Sequence, residues 1–388
     1  MAVYKIFPSQ DTTLYSAYPN MNTGIDPLLE ISNTVPPICP SPRVARAIVQ
    51  FDQSEINNVV DNIVGNLNSF SSSFKSFIST ADGVNFNTTM EMYPISGSWF
   101  NGNGMYLDTI QNTKGCSWKW TDFSGSNAWP DAISGFATLT TGSYSGSDNA
   151  GGGVWFTGSG GYTGVGSLEF TQSFTVRGKK DIDVNVTDAL KVWYSSSKNL
   201  NAGLTDISNN GFILKWTDDI EFNSSLAIQP EYNFYSVDTN TIYPPQLEFK
   251  WNDFVYETGS LSVINTPDLF IGVDENEGIF YSESINNFRL NVRPKFPIRT
   301  FQTESVYTEN FALPTASFYA IKDLDTNEYV VDFDADYTKI SCDASGSYFK
   351  VYMNGLQPER YYKILIQTTI KGNTIVVDDE NYFKVTNG

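Results

Sequence analysis

The sequence predicts an all-β protein: a large jelly-roll-like sandwich followed by a smaller immunoglobulin-like β-sandwich region. Three observations carry this. β-branched and aromatic runs bounded by Gly, Asn, Asp or Pro recur along the chain, helical periodicity is confined to two short stretches, and 388 residues suit two or three modules better than one sandwich.

The clearest strand signals are residues 47–51, 167–176, 211–216 and 361–369. The helical exceptions are residues 54–64, where Ile56, Val59, Val60 and Ile63 recur at helical spacing, and 186–194, where Val186, Leu190 and Trp193 do so. Thr187 or Asp188 is expected to cap the second helix. The character of the chain changes after Asp253 and again, more softly, around Pro294 and Pro297. The expected modules are therefore residues 1–253, a connecting β region or linker over 254–303, and a small sandwich over 304–388. In the last, strands are expected at 317–321, 329–333, 347–353, 361–367 and 374–377, with tight turns at Asn354-Gly355 and Lys371-Gly372-Asn373.

Composition narrows function. No run approaches the roughly 20 apolar residues of a membrane helix, so a soluble protein with no membrane partner is expected. The first ten residues lack the basic and apolar regions of a secretory signal. Cys39, Cys116 and Cys342 are an odd, widely spaced set that fits reduced thiols. A formal charge of −19, from 24 basic and 43 acidic side chains, argues against nucleic acid as a partner. The chain has no histidine, the commonest general base, and carboxylates alone leave no local signature of glycoside hydrolysis, so no enzyme is expected.

Residues 143–166 read SYSGSDNAGGGVWFTGSGGYTGVG, whose glycines oppose regular structure and predict a long loop or loose hairpin. No Lys-Ser or Lys-Thr pair and no helix start follow GSGGYTG, which sets aside a phosphate cradle, and no cofactor is expected beyond the calcium ion considered below. Four aromatics lie in this segment, Tyr144, Trp155, Phe156 and Tyr162, and they are the expected partner-contact residues, with Trp155 as anchor. The competing reading is that the segment folds back and Trp155 caps its own core. For Trp99, Trp118, Trp120, Trp129, Trp193, Trp216 and Trp251, a sugar-stacking platform competes with core packing, and alternation along strands favours the core. Asp11, Asp26, Asp181, Asp183, Asp218 and Asp219 can supply oxygen ligands to a structural calcium ion. No contiguous calcium loop is present, however, and turn carboxylates bonded to backbone amides are the simpler reading. Arg43, Arg46, Arg177, Lys179 and Lys180 are expected at the surface or in ion pairs.

Order along the chain adds a resemblance. From Asp11 the chain reads DTTLYSAYPNMNTGIDPLLEI, an Asp-Thr opening, a strand, an Asn-Thr-Gly turn and a second strand. ARAIVQFD at 45–52 follows, then SGSW at 96–99, GCSWKWTD at 115–122, NAWP at 127–130, DIDVNVTDALKVWYSSSKN at 181–199, NNGFILKWTD at 209–218, FYSVDTNT at 234–241 and PPQLEFKWND at 244–253. Together these pieces, over about two thirds of the chain, resemble the DNRLRE-type β-sandwich domain of secreted polysaccharide-associated proteins and of tailed-bacteriophage virion proteins. The resemblance implies a structural virion component in a tail, neck, collar or capsid-vertex assembly, put together in the host cytoplasm. Its partners would be other virion proteins and copies of itself. The alternative it implies is a carbohydrate-binding adhesin module that grips host surface glycan, which would need exposed aromatics arranged on one face.

Overall fold

The computed structural model describes residues 2–34, 43–107, 114–129, 139–143, 150–156, 168–200, 207–221, 223, 229–296 and 309–387. It is nearly all β, with 48% of residues in strands and 9% in helices, as the strand signals predict. Two compact units divide it, the first comprising Ile6–Leu67 and Ser71–Glu248, the second Met1–Lys5, Asn68–Phe70 and Phe249–Gly388.

The first unit is organised around the strand Arg43–Phe51, which has neighbours on both edges. Pro8–Tyr15 pairs along one edge, and Leu28–Thr34 and Phe212–Trp216 share the other. From there the eight-stranded sheet extends through Thr88–Pro94 to Phe170–Phe174 on one side and through Glu231–Tyr235 to Ile78–Asp82 on the other. RVARAIVQF and FILKW read as near-continuous apolar runs because both faces of these strands are covered. One face carries Phe212 and Trp216 against Phe74, Trp193, Phe174 and Tyr232 in a chain of tilted and edge-on rings. Phe74 belongs to Phe70–Ser76, a strand of strict alternation that pairs with Ile182–Asn185, and Trp193 to the helix Thr187–Ser197. Fully burying side chains of this size contributes about 1.5–3 kcal/mol each. The other face carries Val44, Ile48 and Ile213 and is covered by the candidate site described below.

Both expected helices form, with details set by tertiary contacts. Asp52 caps Gln53–Asn58, its Oδ1 accepting from the Ser54 amide at 2.6 Å, and the helix runs on as a π-turn over Val59–Val64 to Gly65. In the second helix neither Thr187 nor Asp188 is the cap: Asn185 Oδ1 accepts from the Thr187 amide, because Thr187 Oγ1 is taken by the Ser72 amide of the neighbouring strand.

The second unit is a two-sheet sandwich. Leu269–Asp274, Ile285–Pro294, Gly346–Tyr352 and Ser341–Asp343 form one sheet, and Ile279–Tyr281, Asn373–Thr386, Arg360–Ile370, Ser317–Asp323 and Tyr329–Val331 the other. Their inner faces meet at Phe288, Leu290, Tyr319, Ile321, Phe349, Tyr362, Ile364 and Phe383, with Tyr319 stacked on Phe349 at 4.4 Å. Near the start of its strand, Tyr362 donates through its hydroxyl to the Gln357 carbonyl at 2.8 Å, the tyrosine corner of immunoglobulin-like sandwiches. Lys371 and Gly372, both at positive φ, close the two-residue hairpin expected there, whereas Asn354 and Gly355 lie in a 3₁₀ turn.

The segment expected to connect two modules instead supplies three strands of this sandwich, between residues 269 and 294. The change of character after Asp253 marks entry into the second unit, which starts at Phe249, and strand Leu269–Asp274 pairs at once with Ile285–Pro294. The first five residues also belong to the second unit.

Far-UV circular dichroism of the full chain should show a β-dominated spectrum. A helix content above about a quarter of residues, close to the globular average, would contradict this architecture.

Candidate functional site

The sequence singles out the glycine-rich stretch, and the structure places part of it over the open face of the eight-stranded sheet. Leu139–Ser143 and Ala150–Phe156 pair antiparallel as a hairpin, with Thr140 opposite Trp155. Trp155 is 4% exposed, packs with Leu14, Val44, Ile48, Ile95 and Trp118, and stacks on Tyr93 at 6.1 Å. The core reading therefore holds for Trp155, contrary to its expected place in an exposed loop. The physical reason is that Gly151, Gly152 and Gly153 remove the side chains that would hold the backbone off the sheet. At Gly152, with φ at +80°, an added Cβ would lie 2.6 Å from Arg46 Nη1 and 2.7 Å from the Trp118 ring. Phe156 is half-buried, and Tyr144 and Tyr162 lie outside the described residues.

Beneath the hairpin lies a buried charge cluster. Arg46 alternates to the same face as Val44 and Ile48, and with no exposed side chain it grips Glu221 in a fork, Nε to Oε1 at 2.6 Å and Nη2 to Oε2 at 2.9 Å. Its third donor goes to the Gly152 carbonyl at 2.7 Å. The guanidinium is 4.9 Å from the Trp118 ring and 5.2 Å from that of Trp155, so two aromatic faces replace water around the cation. Lys215, also buried, reaches Glu91 at 3.0 Å, Asp218 at 2.8 Å and Glu221 at 3.6 Å. Burial pushes its ammonium down, but Glu221 and Glu91 outweigh that and hold it above the ordinary lysine value. Arg46 is thus an ion-pair residue, as one of the two sequence readings has it, although a deeply buried one.

On the same end of the unit the chain segments 16–27, 99–107 and 114–129 are tied together by Asn22. Its Nδ2 donates to the carbonyls of Asn101 and Cys116 at 2.6 and 2.7 Å, and its Oδ1 accepts from the amides of Gly104 and Gly24. Gly102 and Gly115, both at positive φ, pass so closely that a Cβ on Gly115 would lie 2.4 Å from the Gly102 Cα. This is the physical content of the Asn-Thr-Gly turn and of the GCSWKW segment. Lys119 donates its amide to the Pro19 carbonyl, and Gly152 its amide to that of Trp118, which joins these loops to the hairpin.

The loops display apolar side chains. Tyr18, Ile25, Met105, Tyr106 and Leu107 are 37–56% exposed. They are neighbours: the Ile25 amide bonds the Gly104 carbonyl, the Tyr106 amide Asp26, the Leu107 amide Met21 Sδ, and the Tyr18 and Tyr106 rings meet edge-on at 6.3 Å. Leu107 holds φ at +53°, a costly conformation for a bulky residue that also stays in water. Sequence reasoning missed this patch. The signal was available, because NGNGMYL sets an apolar run in glycine just as the Trp155 segment does.

The tryptophans settle mostly in the core. Trp99, Trp118, Trp129, Trp155, Trp193, Trp216 and Trp251 are buried, and Trp120 is half-buried under Lys119. Among the aspartates, Asp26 and Asp181 accept backbone amides, Asp183 sits 3.9 Å from Lys75, Asp218 pairs with Lys215, and Asp219 is exposed. Among the described residues no three Cys, Asp or Glu side chains converge into a metal-holding group. Cys116 and Cys342 are buried free thiols, and Cys39 lies outside the described residues. Asp11 is buried and accepts the Val237 amide at 2.7 Å. Burial pushes its carboxyl up to about 8, the Val237 amide opposing and Asp238 adding to the shift.

No family model matches the chain, and no curated protein does. Among solved structures, a protein of the DUF4785 family from Legionella pneumophila matches at 8% identity and a TM-score of 0.16, over 100% of this chain and 62% of its own, a likeness too low to carry an argument.

Trp155→Ala should destabilise the full chain by about 3–5 kcal/mol in denaturant unfolding, the usual loss for a buried large aromatic. With its folded value raised to about 8, Asp11 keeps its proton when folded and loses it when unfolded between about pH 4 and 8, so its own contribution to stability is full below that window and is lost as pH rises through it. Asp11→Asn should flatten this dependence and raise the melting temperature at pH 9. An unchanged pH profile would show that Asp11 is ionised when folded.

Proposed function

We propose that the chain is a non-enzymatic structural component of a bacteriophage virion, working by protein–protein docking in a tail, neck, collar or capsid-vertex assembly. The observation that carries this reading is the patch of Tyr18, Ile25, Met105, Tyr106 and Leu107, displayed on loops held by the Asn22 hub over the Arg46–Trp118–Trp155 core. Apolar side chains fixed in place lose little freedom on binding, so a pre-ordered surface of this kind favours a protein neighbour. The positive φ of Leu107 points the same way, since it holds an apolar side chain 56% exposed in water. The resemblance of the motif order to DNRLRE-type domains of virion proteins is what suggests the assembly context. Other virion proteins and symmetry-related copies of the chain are the partners this implies.

A second reading, contact with host glycan, is favoured by a different observation. The outer face of the five-stranded sheet in the second unit exposes Tyr329, Tyr361 and Tyr382 together. The adhesin reading asks for aromatics on one face, and it moves here from the first unit, whose tryptophans are mostly buried.

Mass spectrometry of gradient-purified particles should find the chain in fixed, multiple copies per particle, and its absence from intact particles would overturn the structural role. Leu107→Asn keeps a residue that tolerates positive φ while removing the apolar side chain. Its melting temperature should match or exceed wild type while incorporation into particles drops severalfold. Normal incorporation would remove the loop patch from the docking surface.

A further inference from the structure

The face of the second unit that bears the exposed tyrosines also concentrates lysine. Strand register sets Tyr329, Lys322, Lys363 and Tyr382 in one row across Tyr329–Val331, Ser317–Asp323, Arg360–Ile370 and Asn373–Thr386, and Tyr361 beside Lys384 in the next row. Each ammonium leans on a ring: Lys322 lies 5.2 Å from Tyr329, Lys363 5.5 Å from Tyr382 and Lys384 5.9 Å from Tyr361. The tyrosines are 39–53% exposed.

The pairing of Lys322 with Lys363 is the unusual feature, because like charges directly opposite on neighbouring strands repel. The two side chains lean to opposite flanks, each onto the tyrosine of its own side. Asp378, 2.5 Å from Lys363 and well exposed, offsets one of the charges. The Asp378 end of the pair is open to water while the Lys363 side chain is 19% exposed, so an entering carboxylate reaches this lysine by displacing Asp378. In a chain with 43 acidic and 24 basic side chains, two adjacent cations flanked by aromatic faces form a local exception to the overall charge. A carboxylate between the lysines would relieve their repulsion, and a pyranose on either side would lie on a tyrosine held in place by its lysine stem.

We infer that this face binds a glycan whose sugars include a uronic acid, with Lys322 and Lys363 receiving the carboxylate and Tyr329 and Tyr382 stacking on the neighbouring rings. The inference rests on the glycan reading above and adds the chemistry of the sugar. Nucleic acid shares the preference for aromatics beside cations, but it carries a charge at every nucleotide against a chain of net charge −19, whereas one uronic acid among neutral sugars suffices to set a carboxylate between the two lysines.

Isothermal titration of the full chain with trigalacturonate, neutral galactotriose and a short oligothymidylate tests it. Trigalacturonate should bind at least tenfold more tightly than galactotriose, and oligothymidylate should not bind. Lys322→Gln should abolish the difference between the two sugars, Tyr382→Ala and Tyr329→Ala should each weaken both, and Asp378→Asn, by removing the competing carboxylate, should tighten trigalacturonate alone. That last gain is one a merely structural role for the row would not produce, and it needs no variant that threatens the fold. Equal affinity for the two sugars would overturn the uronate assignment while leaving a glycan face in place. Binding of neither sugar would overturn both, and preferential binding of oligothymidylate would replace them with a nucleic-acid surface.

Discussion

Two charges with no exposed side-chain surface, Arg46 and Glu221, have to stay together, because removing either would leave the buried cluster that they share with Lys215 out of charge balance. Such a pair adds little net stability over an apolar replacement, yet breaking it is costly, so its effect is to fix geometry. It joins the central strand Arg43–Phe51 to the short helix Asp218–Glu221, 175 residues along the chain. The Gly152 carbonyl and the rings of Trp118 and Trp155 complete the shell, which obliges the glycine hairpin and the Trp118 loop to close over the same point. Lys215 adds a second buried cation to the cluster and brings in Glu91 and Asp218. The end of the first unit that carries the candidate docking loops is therefore built outward from one ion pair.

Glycine has a consistent role in this arrangement. At Gly102, Gly115 and Gly152 it lets backbone meet backbone, guanidinium or indole at distances no side chain permits. Closely packed loops result, in which Asn22 satisfies four backbone groups with one amide. Glycine richness read along the chain suggests looseness; where backbone polar groups find fixed partners it produces the reverse. The two proposed surfaces differ accordingly. The loop patch of the first unit is apolar and strained at Leu107, suited to a protein neighbour. The sheet face of the second sets exposed tyrosines beside lysines, two of which, Lys363 and Lys384, are paired with Asp378 and Glu359.

The β class, both helices and most strands of the second unit were legible in the sequence, because side-chain alternation, β-branching and turn residues are local properties. Register made much of the rest inevitable: once Arg46 falls on the same face as Val44 and Ile48, its side chain must enter the core. The exposed apolar residues were legible only in part. Trp155 shares its segment character with an exposed loop but is core, and the exposed patch lies instead in Met105, Tyr106 and Leu107.

By itself, then, the sequence determined what each segment can be, strand, helix or tight turn, and the pattern of acidic and basic residues that bears on partners. Only the tertiary structure decided which side chains meet. Glu221 finds Arg46, Val237 finds Asp11, and Lys322 faces Lys363 through contacts between segments distant in the chain, for which no local pattern exists. The division of the chain followed the same rule, since residues 254–303 read locally as a connecting β region or linker and became part of a sandwich because Gly346–Tyr352 pairs with Ile285–Pro294, that strand with Leu269–Asp274, and Ile279–Tyr281 with Asn373–Thr386. A local propensity fixes dihedral angles, whereas burial is settled by what packs on top, and that depends on every other element of the unit.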